Sequence, residues 1–356
     1  MNSNILLDNE KLVKNFGARP ISEIAILPDF YTFKKGLVYS HRDFDKFMAA
    51  LNNGEKCAIV SGFNPSGTIH LGHKVVFDTN LFFQKKYGVS VFIPISDDES
   101  YIVGKVKDQK QGLEFAMQLA KELLAYGFDS KKTYFIIDQV YTNIYNLAIK
   151  LCPKVTLSEI KASYGYGPED NPGMYFYPVI QSAHILLPIE SFGFKQVLVP
   201  IGPDEDPHIR VCRDIAARAS YNKPAILHMK FMPGLTGDKM SASKPNTAIF
   251  LNEPEKSIRI KVNKAFSGGK ETVDEHRKNG GNPEIDIPCI YLTNYFYDEK
   301  QSKKLVEDYK KGKLLSGEVK KLLADELIIM TTEFQTRIKK VTDKQLEKVI
   351  LKNKNV

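Results

Sequence analysis

No part of this 356-residue chain approaches the run of ~18 apolar residues that a membrane-spanning helix needs, which sets aside a helical membrane protein. The start, "MNSNILLDNEKLVKNFG", is too polar for a signal peptide, so a cytoplasmic protein is expected. Cysteine is scarce. Cys57, Cys152, Cys212 and Cys289 are scattered, with no CxxC pair and no histidine cluster beside them, which argues against a disulfide framework and against zinc. Reduced, mostly buried thiols are the expectation. Tryptophan is absent altogether, and nothing about function follows from that alone. Repeats and low-complexity segments are also missing. What remains is the composition of an ordinary soluble globular protein, 43% hydrophobic and 26% charged, long enough for two domains with buried cores.

The net charge of +8 is unevenly placed: residues 301–356 hold 14 Lys and Arg against 8 Asp and Glu. A basic C-terminal region suits a polyanion such as RNA or DNA, although a solvated lysine-rich helix surface gives the same count.

Strand and helix signals alternate through the first two thirds of the chain. Apolar runs rich in β-branched residues occur at 56–62, 89–96, 133–138, 195–202 and 225–230, with helix-period stretches at 69–87, 107–126, 179–190 and 207–219. This predicts an α/β fold with a doubly wound parallel sheet of Rossmann type. From about residue 254 the strand signal fades and successive helices are expected. The division predicted is an N-terminal extension (1–55), a Rossmann catalytic domain (56–253) and an all-helical domain (254–356).

"PSGTIHLGH", residues 65–73, follows the first strong strand and reads as the opening turns of a helix, where nucleotides bind in open α/β sheets. His70 and His73, three apart, would project from one helical face. Gly72 would cost roughly 1 kcal/mol against alanine inside a helix, which makes sense if a flat ring must lie against bare backbone. The imidazoles would then donate to phosphate oxygens. Far downstream, "GLTGDKMSASKPNTAIF" (234–250) sets Lys239, Ser241, Ser243 and Lys244 in a stretch punctuated by Gly and Pro. Such a loop suits a pyrophosphate leaving group, because a cation that arrives as charge develops stabilises the transition state more than the ground state.

"HLGH" with "KMSAS" resembles the two signatures of class I aminoacyl-tRNA synthetases, in the order and spacing of the tyrosyl/tryptophanyl branch. "GLVYSHRDFDKFM", "ISDDESY", "YPVIQSAHILL", "GPDEDPHIRVCRDIAAR", "KPAILHMKF" and especially "AFSGGKETVDEHRKNGGN" resemble the tryptophanyl family of archaeal and eukaryotic type, over nearly the whole chain from about residue 10. The resemblance implies activation of L-tryptophan by ATP with Mg2+, then transfer to the 3′ end of tRNA(Trp), with no zinc. It implies phosphate roles for His70 and His73, adenine packing for Gly72, and pyrophosphate contacts for Lys239, Ser241 and Ser243. Met240 and Lys244 would lie at the ATP, Lys244 just past the signature where eukaryotic relatives often carry an acid. Gly202 and Asp204 in "GPDED" would meet the ribose, and Glu99, Gln181 and Glu205 the amino acid. Asp206, beside them, reads as a solvated loop charge.

Two eukaryotic positions that read the indole N–H, a tyrosine and a glutamine, correspond here to Val60 and Pro94, neither with a side-chain acceptor. Another side chain or a backbone carbonyl is expected to replace them, since a pocket built on one buried hydrogen bond discriminates far better than shape. Lys270 and Glu271 of "SGGKET" occupy family positions that face the anticodon; lysine can hold phosphate and an acid can accept from a cytosine amino group, although a surface ion pair is the alternative. Relatives are homodimers through the Rossmann domain, and the same is expected here. In relatives the N-terminal extension folds over the ATP site. Competing readings are a tyrosyl enzyme of the same branch, a small nucleotidyltransferase that shares HxGH, and a non-enzymatic RNA-binding paralogue.

Overall fold

The computed structural model describes residues 12–65, 67–237, 240 and 244–353. Lys239, Ser241 and Ser243 therefore lie outside the described residues. The chain forms two compact units. One contains the described residues of 12–67, 76–230 and 340–353; the other those of 68–75 and 231–339.

The first unit is built on a seven-stranded sheet in the order β1-β2-β7-β6-β3-β4-β5. The strands are β1 (Arg19–Pro20), β2 (Val38–Arg42), β3 (Cys57–Val60), β4 (Ser90–Ile95), β5 (Thr133–Ile137), β6 (Gln196–Ile201) and β7 (Ala225–Met229). The five strands read from the sequence run parallel to one another, in the order β5-β4-β3-β6-β7. Every residue of β3, β6 and β7 is buried, which is why these strands appear in sequence as continuous apolar runs and not as alternations. The winding reverses between β3 and β6, and the crevice at the carboxyl ends of strands beside such a reversal is where open α/β sheets bind ligands.

β1 and β2 went unread in the sequence. β2 joins the sheet antiparallel to β7, although it reads "VYSHR" and carries two polar residues, Ser40 and His41, that are fully buried. Part of the N-terminal extension is thus sheet. At the opposite edge Ile350 bridges to Phe135 and Leu351 N donates to Phe135 O at 2.8 Å, so the end of the chain covers the exposed side of β5.

Helix Pro172–Phe192 is the most deeply buried, with Tyr177–Ile180 and Ser182–Pro188 all in the core. It is capped by Asn171, whose side chain accepts from Met174 N. Helix Leu157–Tyr164 begins in a Thr156/Glu159 capping box and stops at Gly165, whose left-handed φ of 74° turns the chain away. The aromatic helix Lys74–Tyr87 is core: Phe83 packs edge-on against Phe44 and Phe47.

In the second unit the described residues after 254 form helices, among them Glu255–Asn263, Val273–Asn279, Glu299–Lys310 and Ser316–Ile338, and no further strand. The expected Rossmann-type sheet followed by a helical region is the fold observed. Three cysteines are buried and Cys152 is half-buried; all four are free thiols, with Cys57 pushed up to about 11 and Cys212 to about 12 by burial. No helix among the described residues is long and apolar enough to cross a membrane.

Candidate functional site

The HLGH segment departs from the helix expected of it. His70 is extended (φ −110°, ψ 164°), Leu71–His73 is a single 3-10 turn, and the α-helix starts only at Lys74. The cause is local strand pairing: His70 bridges Phe250, Leu71 N donates to Ile249 O at 2.8 Å and Leu251 N donates to Ile69 O at 3.0 Å. The two imidazoles still meet, with ring centroids 3.8 Å apart and planes 29° from parallel, because a 3-10 turn brings positions three apart into line.

Gly72 therefore stands outside any helix interior, and the helix penalty does not explain it. A Cβ there would lie 2.9 Å from both Cε1 and Nδ1 of His70 and 3.5 Å from Met240 Cβ. The imidazole of His70, two residues back, already lies close against this side of its bare backbone. Gly72 N donates to His70 Nδ1 at 3.2 Å, which leaves the ring proton on Nε2 as a donor. The same N–H lies 3.1 Å from Met240 Sδ, so the HLGH and KMSAS segments come together at Gly72 and the buried Met240. Lys244 is exposed, and its carbonyl accepts from Thr247 N at 2.9 Å and Thr247 Oγ1 at 2.8 Å.

Also in the helical unit, Lys270 and Glu271 are exposed on a tightly held loop. Gly268 N and Tyr309 Oη donate to Asp286 Oδ2 at 2.9 and 2.7 Å, and His276 Nε2 lies 2.9 Å from Leu314 O. A Cβ at Gly268 would meet Asn282 O at 2.0 Å, and one at Gly269 would meet Ser316 Oγ at 2.2 Å, so this loop accepts only glycine there. No ion pair joins Lys270 to Glu271 among the described residues.

In the sheet unit, Gly202 follows β6 and caps the 3-10 turn Pro203–Glu205; Asp204 is exposed and Glu205 half exposed. Glu99 lies on the short helix Asp97–Ile102 that follows β4. Burial raises its carboxyl above the usual range; the hydrogen bond from Asn64 Nδ2 (2.7 Å to Oε2) opposes this, and Glu205 pushes it further up. Two carboxylates that destabilise each other's charge suit an ammonium group. Gln181, half-buried on helix Pro172–Phe192, accepts from Tyr164 Oη at 2.7 Å. Val60 and Pro94 are buried strand residues, and the Pro94 carbonyl already accepts from Phe63 N at 2.7 Å.

Asp206 is not a solvated charge. It is fully buried and receives Arg42 through Nε (2.8 Å to Oδ1) and Nη2 (3.0 Å to Oδ2), with His228 Nε2 2.9 Å from Oδ1. Sequence gave no hint of this, because Arg42 is remote in the chain and Asp206 stands among loop acids.

A buried acidic cluster behind Glu99 also escaped the sequence reading. Carboxylate oxygens of Asp97, Asp98 and Asp138 lie within 4.8 Å of one another, close enough to hold a cation. Asp97 is already satisfied by Asp138 N (2.8 Å) and Gln139 Nε2 (2.6 Å), and Asp138 Oδ1 lies 2.7 Å from His184 Nε2. Burial lowers His184 to about 4, so it is neutral and donates to Asp138. Burial pushes Asp98 and Asp138 up to about 8, helped at Asp98 by Asp138 and at Asp138 by Asp97 and Glu99, so the pair holds a proton at neutral pH. A carboxyl raised in the folded state stabilises fully below its unfolded value of about 4 and loses that contribution as pH rises through its folded value. Asp98→Asn is therefore expected to match the parent near pH 5 and exceed it by on the order of 1–3 kcal/mol at pH 8.5, read from urea melts at the two pH values. Equal pH dependence in both proteins would contradict the shared proton.

Known proteins resemble this chain over most of its length. Residues 52–332 match the family described as tRNA synthetases class I (W and Y). A tryptophan–tRNA ligase of Methanopyrus kandleri is 35% identical over 351 residues, spanning 95% of this chain and 92% of that protein. The cytoplasmic tryptophan–tRNA ligase of Homo sapiens is 35% identical over 362 residues, spanning 95% of this chain and 76% of that one. The crystal structure of tryptophanyl-tRNA synthetase from Aeropyrum pernix superposes with a TM-score of 0.89 at 31% identity, covering 99% of both chains.

Proposed function

Because the chain belongs to the class I tRNA synthetase family for tryptophan and tyrosine, we propose that it is the tryptophan-specific ligase. It activates L-tryptophan with ATP and passes the amino acid to tRNA(Trp). The observation that carries the assignment of the ATP machinery is the meeting of Gly72 and Met240, which joins two motifs remote in sequence within one compact unit.

The reaction needs no covalent enzyme intermediate. A tryptophan carboxylate oxygen attacks the α-phosphorus of Mg-bound ATP, the bond to the bridging oxygen of the β-phosphate breaks, and pyrophosphate leaves. The protein's task is positioning and charge stabilisation. His70 donates from Nε2 to a phosphate oxygen, the proton having been placed there by Gly72 N, and His73 stacks against it as a second donor. Lys239, Ser241 and Ser243 meet the departing pyrophosphate, with Met240 and Lys244 flanking the nucleotide and the bare backbone at Gly72 leaving room for the adenine ring. Gly202 and Asp204 hold the ribose. Glu99 and Glu205 receive the ammonium, and Gln181 lines the amino-acid pocket. Lys270 and Glu271 face a CCA anticodon.

The protein works in the cytoplasm as a homodimer through its Rossmann domain. Supporting the location is the human relative, which is named as cytoplasmic. Charging tests the whole reading. Incubated with ATP, Mg2+ and an RNA carrying the tRNA(Trp) sequence, the protein should esterify L-tryptophan to the 3′ terminal adenosine. Charging of a tyrosine tRNA with tyrosine instead would overturn it.

A further inference from the structure

Resting on that reading, the sheet unit holds a candidate for the acceptor that Val60 and Pro94 cannot supply. The indole N–H is one donor on a large apolar ring, and burying it unpaired costs about 1–3 kcal/mol, so a selective pocket must offer it an acceptor. Most polar atoms around Glu99 are already committed. Asn64 donates to Glu99 and accepts from Ser100, and Ser96 Oγ accepts from Tyr177 Oη at 2.9 Å.

Tyr164 differs from these. Its hydroxyl donates to Gln181 Oε1 at 2.7 Å and, among the described residues, accepts from nothing, so its lone pairs are available to a donor. The ring is fixed in place. It stacks on His208 with centroids 4.0 Å apart and planes 5° from parallel, and its other neighbour is Tyr166 at 5.4 Å. His208 is itself tied to Glu205, Nδ1 to Oε2 at 3.2 Å. Through His208 the phenol ring is thus linked to Glu205, one of the carboxylates that take the ammonium. Its position as the last residue of helix Leu157–Tyr164, before the left-handed Gly165, holds the side chain on a rigid element and not on a loop.

We infer that the Tyr164 hydroxyl, oriented by Gln181, accepts the indole N–H of tryptophan and so sets the specificity of the pocket.

The test compares L-tryptophan with β-(3-benzothienyl)alanine, in which sulfur replaces the N–H, using the full-length protein and its Tyr164→Phe variant. Amino-acid-dependent exchange of pyrophosphate into ATP gives kcat/KM for each. Tyr164→Phe should lower kcat/KM for tryptophan by about 10- to 100-fold and leave the analogue within about two-fold, the usual scatter of such a comparison. Because the chain contains no tryptophan, emission from added L-tryptophan also reports binding directly, and its affinity should fall in the variant. Gln181→Met, which frees the hydroxyl to rotate, should show the same selectivity for N–H with a smaller loss. Equal losses for both substrates would mean that Tyr164 merely packs, and no loss for either would mean that it is not the acceptor; both overturn the inference. Absence of tryptophan-dependent exchange in the parent protein would instead refute the assignment of the amino acid, which is a distinguishable failure.

Discussion

Lys239→Ala and His73→Ala are each expected to slow adenylate formation by about 10²–10³-fold, the usual loss when one preorganised donor to a developing charge is removed. The thermal stability of either variant should stay near that of the parent. Rapid-quench measurement of tryptophanyl-adenylate in a single turnover, without tRNA, reads the step directly. Two groups acting on one leaving group are also not independent, so the double variant should lose less than the product of the two single losses. Full multiplication would show that they serve separate steps. Gly72→Ala should mimic the histidine variant, since a methyl group 2.9 Å from the His70 ring must displace that ring.

Asp206→Ala should remove about 3–5 kcal/mol of folding stability, because it strands the guanidinium of Arg42, whose side chain is only 10% exposed, without its carboxylate. The carboxylate also anchors His228, whose Nδ1 lies 2.8 Å from Ser40 Oγ, so one side chain ties β2, β7 and the helix Asp206–Arg218 together. The pH dependence follows with its sign. Arg42 and His228 hold the Asp206 carboxyl far below the usual range, against the effect of burial. A group lowered in this way stabilises above its unfolded value of about 4 and loses that contribution as pH falls below it. Urea melts should therefore show the gap between parent and variant closing in acid. A gap that is small at pH 7 would contradict the buried ion pair.

The parallel sheet was legible because strands buried on both faces must be written in apolar residues, and β3 to β7 are. β2 was not, because its buried Ser40 and His41 find partners from other elements: Ser40 on His228, and His41 Nδ1 on Phe44 N at 3.2 Å. Hydrogen bonding lets polar residues into a core where hydropathy does not expect them. The histidine motif shows a different limit. Three-residue spacing brings two side chains together on an α-helix and on a 3-10 turn alike, so their proximity was readable and the backbone was not. Gly72 was read as costly inside a helix, but it stands on a 3-10 turn, where a Cβ would lie 2.9 Å from the His70 ring. Asp206 was misread because its charge is cancelled by an arginine that only the fold brings near. The Asp98–Asp138 pair and Tyr164 left no signal at all; they depend on contacts between segments from different parts of the chain. The KMSAS residues gave the opposite case, with a strong signal in sequence and Lys239, Ser241 and Ser243 outside the described structure.

The account stands most directly on which amino acid drives exchange of labelled pyrophosphate into ATP. With the purified protein and Mg2+, L-tryptophan should support exchange while L-tyrosine at the same concentration supports essentially none. Exchange driven by tyrosine in preference to tryptophan, or none with either, would contradict it.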